Sequence, residues 1–537
     1  MLLCAFLLLP TLAHADTYPR QAGVDAIHYV FHLAVTDTSD EISGRTTVTV
    51  KFDRAGLTEV VLDLASAAAG KGMTVSSTYQ PQPPNDQPLS FRHANDRLTV
   101  TLPAPSTAGQ EVTFTVAYSG VPADGLHIGP NIHGERAMFS DSWPDRARQW
   151  LPVIDHPSDK ATSEFIVTAP NHYQVVSNGL LIEEIDLPNG QRRTHWRQSV
   201  PIASWLNALG VARFTSHHAG TVKGIPLQTW VFPQNRDTGL AIFEDLSRRT
   251  LTFFIDHIGP YSYEKLANVQ AVGIGGGMEL ASAIFYGEKD VAAGRAPVVH
   301  EIAHQWFGNS VTERDWDDVW LSEGFATYFT LLFTEHDEGR DAFVDGLAKS
   351  RAQVLGLEQK FPDTPIIHRN LADMKKVLTG LVYQKGAWVL HMLRAEVGTG
   401  NFWTAIREYY RRYQNQNAST AELRAVFEQV SGKPLDWFFA QWLTRPGVPK
   451  LEGSWRYDAA RKQVEITLTQ SQAGEPYRLG VEIGLVTTTG GLPAITRVAA
   501  TGRTTVVGIP SDFEPAAVTI DPGTWLMFEP GAFTRQR

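Results

Sequence analysis

The spacing of hydrophobic residues changes twice along the chain. Polar and apolar or β-branched residues alternate over much of residues 25–215, for example in 45–52 and 111–116. A period of two is typical of half-buried β-strands. The pattern therefore predicts an all-β N-terminal domain over residues 16–215.

A helical period replaces the alternation over residues 216–445. One face of a predicted helix carries the apolar residues Ile242, Phe243, Leu246, Phe253 and Phe254. Further on, Ser419 to Glu422 have the spacing of a capping box, and Gly432 follows as a stop signal. Pro434 is predicted to open the next helix at its first position.

Alternation returns in 464–468 and again from 478 to 487. This predicts a small β-sandwich over residues 446–537. Taken together, the three patterns predict a multidomain α+β fold with a mostly helical domain between two β domains.

Residues 1–15 have the features of a secretory signal peptide. Residues 2–9 are mostly apolar, and Ala13-His14-Ala15 is a small-x-small cleavage pattern before Asp16. The alternative is a buried N-terminal helix, because a membrane span would need roughly 20 apolar residues. We therefore expect an exported protein, periplasmic or secreted, without stable membrane insertion after signal cleavage.

The composition of the chain argues against several classes of protein. The chain has 537 residues, a formal net charge of −10 and no dense run of basic residues, which argues against a nucleic-acid partner. Its single cysteine, Cys4, lies in the predicted signal peptide. One cysteine excludes a disulfide scaffold and cysteine-based metal sites.

The strongest short motif is His300-Glu301-Ile302-Ala303-His304. On a helix, residues four apart lie on one face, so both imidazoles can bind one metal ion while Glu301 reaches a water beside it. The alternative hypothesis is a helix with ordinary surface histidines and a glutamate.

A third metal ligand follows at Glu323, with eighteen residues between it and His304. Its surroundings, 320–329, are almost wholly apolar, and an unpaired carboxylate would be costly to bury there. Two histidines and one glutamate leave a fourth position for water, which is typical of a catalytic site with one Zn²⁺ per chain. The other common zincin pattern is excluded, because Phe307 and Ser310 stand where it needs Gly and His.

Several segments resemble motifs of the gluzincin zinc aminopeptidases of the alanyl-aminopeptidase type. They are 148–152 (Arg-Gln-Trp-Leu-Pro), 177–179 (Ser-Asn-Gly), 276–279 (Gly-Gly-Met-Glu), 300–309, 316–329 and 383–387 (Tyr-Gln-Lys-Gly-Ala). The resemblance implies a saddle-like N-terminal β domain, a thermolysin-like catalytic domain and a C-terminal β-sandwich. It also implies a short three-domain form without the helical C-terminal domain of larger relatives.

The resemblance also implies roles for individual residues. His300, His304 and Glu323 would bind zinc, and Glu301 would be the general base. Tyr383 matches the family tyrosine that donates a hydrogen bond to the developing oxyanion. A buried core tyrosine is the alternative at that position.

The glycine-rich segment Gly276-Gly277-Met278-Glu279 resembles the exopeptidase motif of the family. There the backbone aligns the substrate as an extra strand, and the glutamate pairs with the free α-ammonium group. The alternative is a glycine-rich loop with a solvated glutamate. Leu280 stands where the family has asparagine.

A second departure is Asp141, which aligns where relatives often carry a substrate-binding glutamine. We hypothesise that Asp141 adds a second negative charge near the substrate amine. Trp143, two residues on, stands where relatives carry a glutamate.

The sequence therefore predicts an exported zinc metallo-aminopeptidase that hydrolyses N-terminal residues from peptides with a free N-terminus, through zinc-activated water. Three alternatives remain: a zinc endopeptidase, an epoxide hydrolase on the same site, and a catalytically weak peptide-binding relative.

Overall fold

The computed structural model describes residues 16–82, 84–367, 371–487 and 492–536. The predicted signal peptide, with Cys4, lies outside the described residues. In the described part, no helix combines the length and hydrophobicity that a membrane crossing requires. The fold is mixed α+β, as the sequence predicts.

The N-terminal part consists of strands. They are Val24–Ala34 (β1), Ile42–Phe52 (β2), Glu59–Asp63 (β3), Gly72–Gln80 (β4), Gln87–Leu89 (β5), Phe91–Ala94 (β6), Arg97–Thr101 (β7), Glu111–Val121 (β8), Leu126–Pro130 (β9), Arg136–Ser140 (β10), Lys160–Pro170 (β11), Gln174–Ser177 (β12), Leu180–Leu187 (β13), Gln191–Ala203 (β14) and Leu209–Ala212 (β15). The predicted strands at 45–52 and 111–116 are confirmed as parts of β2 and β8. In β2 every second residue is buried, so one face of the strand packs on the core.

These strands form three sheets. The largest has the order β13-β14-β11-β1-β2-β8-β4-β5, and a smaller one has the order β12-β15-β10-β9. The third is β3-β7-β6. Within the large sheet β1 and β11 run parallel, whereas the neighbouring pairs β1–β2 and β11–β14 are antiparallel.

The middle part combines helices with a five-stranded sheet and a separate two-stranded one. Its strands are Thr215–Val222 (β16), Ile225–Val231 (β17), Leu266–Ala271 (β18), Gly277–Met278 (β19), Ala283–Gly287 (β20), Thr312–Glu313 (β21) and Asn417–Ala418 (β22). Its helices are Arg236–His257 (α1), Glu288–Ala292 (α2), Val298–His304 (α3), Trp320–Asp337 (α4), Arg340–Lys360 (α5), Gly380–Val397 (α6), Thr399–Tyr413 (α7), Thr420–Ser431 (α8) and Asp436–Leu443 (α9). The sheet order β16-β17-β18-β20-β19 places β19 at an edge.

Helix boundaries agree with the sequence signals except at one proline. The capping box of Ser419 and Glu422 is present, and Gly432 ends α8 in the left-handed conformation, with φ of 67°. The prediction for Pro434 is wrong, because α9 begins two residues later, at Asp436, and Leu435 precedes its first turn.

The C-terminal part holds two further sheets. Its strands are Lys450–Asp458 (β23), Gln463–Gln470 (β24), Leu479–Val486 (β25), Ala494–Ala500 (β26), Thr504–Pro510 (β27), Ala517–Ile520 (β28) and Glu529–Arg535 (β29). They form the sheets β27-β24-β23-β29 and β26-β25-β28. Because β24 buries alternate residues, this part has the one-sided burial expected of a sandwich.

Candidate active site

Two helices deliver the predicted metal ligands to one point. His300 and His304 lie one turn apart on α3, and Glu323 lies in the first turn of α4. The two imidazole Nε2 atoms are 3.1 Å apart. Oε2 of Glu323 is 3.4 Å from Nε2 of His300 and 3.3 Å from Nε2 of His304. The structure therefore brings together all three ligands that the sequence singles out.

The distances among these three ligand atoms are those that a zinc ion requires. Tetrahedral zinc with bonds of about 2.0–2.1 Å separates its ligand atoms by about 3.3 Å. Oε2 of Glu323 is buried and has no hydrogen-bond partner among the described residues, although both imidazoles are near. The three ligand atoms thus surround a common point. A dication at that point would satisfy the orphaned oxygen.

His304 is held in the tautomer that a metal requires. Its Nδ1 lies 3.2 Å from the carbonyl oxygen of Phe307 and 3.0 Å from Oγ of Ser322. Donation from Nδ1–H to the carbonyl leaves the lone pair of Nε2 free to bind metal. Gly308 makes this possible, because a Cβ atom there would lie 2.2 Å from Oγ of Ser322.

Close helix packing places Tyr383 beside the predicted metal ligands. Helices α4 and α6 touch at two glycines, where a Cβ on Gly324 would lie 3.0 Å from the backbone of Gly386. Gly324 follows Glu323 directly, and Gly386 lies one turn after Tyr383. The Tyr383 ring stacks at 6.2 Å from the ring of His300. Burial and then the Glu323 carboxylate raise the pKa of Tyr383 well above its ordinary value, so its hydroxyl keeps the proton.

Three buried carboxylates surround His304. Ligand atoms of Glu279, Glu301 and His304 lie within 4.8 Å of one another. Burial raises the pKa of Glu279 to about 7, and burial together with the Glu279 carboxylate raises the pKa of Glu301 well above its usual range. Burial would lower the pKa of His304, but the carboxylates of Glu279 and Glu323 outweigh it and raise that pKa to about 10. Such an excess of negative charge favours a bound cation.

The glycine-rich segment forms the edge strand β19 beside the carboxylates. Gly277 and Met278 pair with β20, and no other described strand pairs with the outer edge of β19. The carbonyl oxygen of Glu279 accepts hydrogen bonds from Nε2 of Gln305, at 2.9 Å, and Nδ2 of Asn309, at 2.6 Å. Sequence reasoning missed these two amides. Their position just after the histidine motif is the only signal that points to them.

Leu280 and Asp141 depart from the family pattern in different ways. Leu280 is fully buried, and its side chain offers no hydrogen bond to the neighbouring Glu279. Asp141 lines the same cavity as Glu279, but its carboxylate pairs with Arg146 at 2.6 Å. The charge of Asp141 is therefore largely offset, and its predicted role toward the substrate amine stays a hypothesis.

The second group of possible metal ligands, Asp16, His156 and Asp315, is an ion-pair network. The Arg20 guanidinium lies among them, with Nη2 at 3.1 Å from the Asp16 carboxylate and also bonded to Asp315. A cationic side chain already fills the position that a metal would take. This group is therefore structural.

Gly277 provides the space that the Glu301 carboxylate occupies. A Cβ atom at residue 277 would lie 2.4 Å from Cδ and Oε1 of Glu301. Because Glu301 is the predicted general base, we expect Gly277→Ala to lower kcat by about a hundredfold, since a shift of about 1 Å in a catalytic group has that effect. Gly275→Ala is the matched control, since its Cβ would meet nothing within 4 Å. Equal kcat values for the two variants would contradict this role of Gly277.

Comparison with known proteins supports the family resemblance that the motifs of the site indicate. Residues 25–206 match the Peptidase M1 N-terminal domain, and residues 245–442 match the Peptidase family M1 domain. The glutamyl aminopeptidase of Homo sapiens is 30% identical over 331 residues, covering 58% of this chain and 34% of that protein. The aminopeptidase M1 of Arabidopsis thaliana is 29% identical over 330 residues, covering 57% and 36%. The chain thus matches about a third of the length of these relatives.

Similar solved structures cover more of the chain. The M1 zinc metallopeptidase of Deinococcus radiodurans is 28% identical, with a TM-score of 0.68, over 80% of this chain and 95% of that one. A mutant of that protein bound to a Tyr-Ser-Ala substrate has a TM-score of 0.67 and 28% identity, over 79% and 94%. Both domain matches name one family and together cover most of the sequence, which confirms the resemblance of the motifs. The chain belongs to peptidase family M1, the family of the gluzincin zinc aminopeptidases.

Proposed function

We propose that this chain is a zinc-dependent aminopeptidase that removes N-terminal residues from peptides. The observation that carries the proposal is the position of Glu279. Its carboxylate lies within 4.8 Å of Glu301 and His304, where β19 ends and the metal centre begins. A carboxylate held so close to the metal centre can accept hydrogen bonds from a substrate ammonium group one residue from the bond to be cleaved.

Three side chains would hold the metal. His300, His304 and Glu323 are the ligands that would bind zinc, which would supply Lewis-acid chemistry at the bond to be cleaved. Glu301 accepts the proton of the attacking water and returns it to the leaving amine. Burial and the Glu279 carboxylate raise the pKa of Glu301, which makes its carboxylate a stronger proton acceptor than an ordinary glutamate.

The remaining parts of the site orient the peptide. The open edge of β19 can pair with the substrate backbone as an added strand. The Tyr383 hydroxyl, which stays protonated, can donate a hydrogen bond where negative charge develops on the carbonyl oxygen. These groups are fixed before substrate arrives, because their helices and strand are packed in the core.

Tyr383→Phe tests the oxyanion role. We expect kcat to fall by about a hundredfold with KM nearly unchanged, because the lost hydrogen bond forms only in the transition state. Steady-state kinetics on an aminoacyl-arylamide measure both constants. Tyr457→Phe, in the C-terminal sheets, is the control. A rise in KM with unchanged kcat would assign Tyr383 to substrate binding instead.

One observation favours a second candidate, an endopeptidase. Leu280 replaces the family asparagine and cannot support Glu279 with a hydrogen bond. An aminoacyl-arylamide and its N-acetylated twin separate the two functions. Chelator-sensitive cleavage of the free amine alone supports the aminopeptidase, whereas cleavage of both supports the endopeptidase. If neither is cleaved, the epoxide hydrolase and the non-catalytic peptide binder gain support.

We also propose that the protein is exported to the periplasm or the medium. The support is the apolar run of residues 2–9 and the cleavage pattern before Asp16. N-terminal sequencing of protein recovered from the periplasm or medium should begin at Asp16. Recovery in the cytoplasm with residues 1–15 intact would contradict this proposal.

A further inference from the structure

The cleft beside the metal centre is electrostatically asymmetric. It is a cavity of about 580 Å³ whose one end holds Glu279, Glu301 and Glu323 together with the Asp141–Arg146 pair. The other end is lined by α4 and α5, and Lys349 is the one charged side chain that the described residues place there. A zwitterionic peptide has the complementary charges, with an ammonium group at one end and a carboxylate at the other.

The far end of the cleft is built where α5 approaches α4. Gly346, Lys349, Ser350 and Gln353 share one face of α5, since their spacings are three, four and seven residues. Gly346 allows the close approach, because a Cβ there would lie 2.6 Å from Cδ2 of Leu331. Polar groups of α5 are thereby held at a fixed position in the cavity wall.

Two groups at this end lack partners. Ser350 is 4% exposed, and its Oγ has no hydrogen-bond partner among the described residues. A buried hydroxyl without a partner costs free energy that a ligand acceptor can recover. Lys349 is exposed and lines the cavity, and no described acidic side chain forms an ion pair with it. An ammonium and a hydroxyl on adjacent residues, with the Gln353 amide nearby, are suitable donors for a carboxylate.

The distance from the metal centre suits a short peptide. Thr330, which lines the far end, follows Glu323 by seven residues on α4. Seven residues of helix span about 10 Å, and an extended peptide covers about the same distance in three residues. Given the proposed aminopeptidase function, we propose that Lys349 and Ser350 bind the C-terminal carboxylate of peptide substrates three or four residues long.

Four substrates test this subsite: a Leu-arylamide, Leu-Ala-Ala as free acid, Leu-Ala-Ala amide and Leu-Ala-Glu amide. We expect wild type to cleave the free acid about five- to tenfold more efficiently than either amide, measured as kcat/KM. In Lys349→Gln this preference should fall below twofold, while arylamide cleavage is unchanged. Ser350→Ala should reduce the preference less, without loss of thermal stability.

The controls separate the possible failures. Lys360→Gln removes the same charge from the same helix outside the cleft and should retain the full preference. If the arylamide is cleaved but Leu-Ala-Ala acid and Leu-Ala-Ala amide are cleaved at equal rates, the subsite proposal is wrong and the aminopeptidase function still stands. A Leu-Ala-Glu amide cleaved as fast as the acid would show that the site binds acidic side chains, which also overturns the proposal. Absence of arylamide cleavage would contradict the aminopeptidase function itself.

Discussion

Glu301→Gln should bind zinc as wild type does and lose at least a hundredfold in kcat. Glutamine has the same shape, so it fits the space beside Gly277, but its amide cannot accept the proton of the attacking water. General-base catalysis typically contributes 10²–10⁴-fold, which sets the expected loss. Metal analysis by mass spectrometry gives the zinc content, and arylamide hydrolysis gives kcat.

A matched glutamate controls for the change in charge. Glu338→Gln alters an exposed residue at the end of α4, outside the cleft, and should leave kcat unchanged. If Glu301→Gln kept its zinc and more than a tenth of wild-type kcat, Glu301 would not be the base. Loss of zinc from this variant would assign it to metal binding instead.

Glu323→Gln should abolish activity by releasing the metal. The two imidazoles bind as neutral ligands, so the Glu323 carboxylate is the one protein ligand that offsets the charge of a dication, and a neutral amide is a far weaker ligand. We expect one zinc per chain in wild type and much less than one in the variant. The fold should survive, because the substitution also removes one of three crowded buried carboxylates.

Thermal unfolding gives a second test of Glu323 as a metal ligand. Because zinc binds only the native site, adding it to metal-free wild type should raise Tm, and it should not raise the Tm of Glu323→Gln. Glu338→Gln again serves as the control. If Glu323→Gln kept one tightly bound zinc and wild-type activity, the third metal ligand would lie elsewhere.

Local patterns predict the elements and the metal ligands because both follow from short-range spacing. Alternation locates β2 and β8, and the four-residue separation of His300 and His304 places both on one helix face. The carboxylate of Glu323 could be predicted because its neighbours are apolar, so that only a strong partner explains its burial. These inferences need no knowledge of tertiary contacts.

Other parts of the site depend on contacts between distant segments, which spacing does not reveal. The approach of Gly324 to Gly386, which positions Tyr383, joins two helices sixty residues apart. The fit between Gly277 and Glu301 joins a strand to a helix in the same way. Asp141 and Arg146 are close in sequence, but no regular spacing predicts their pairing, which offsets a charge that the sequence alone leaves available to substrate.

The central claim is that this cleft removes one residue at a time from a free N-terminus with the help of zinc. Mass spectrometry of Leu-Ala-Ala-Phe and its N-acetylated form, incubated with the zinc-loaded protein, tests it most directly. We predict free leucine and Ala-Ala-Phe as the first products, no cleavage of the acetylated peptide, and loss of activity on chelation. Internal cleavage of the acetylated peptide, or leucine release that persists after removal of all zinc, would contradict the claim.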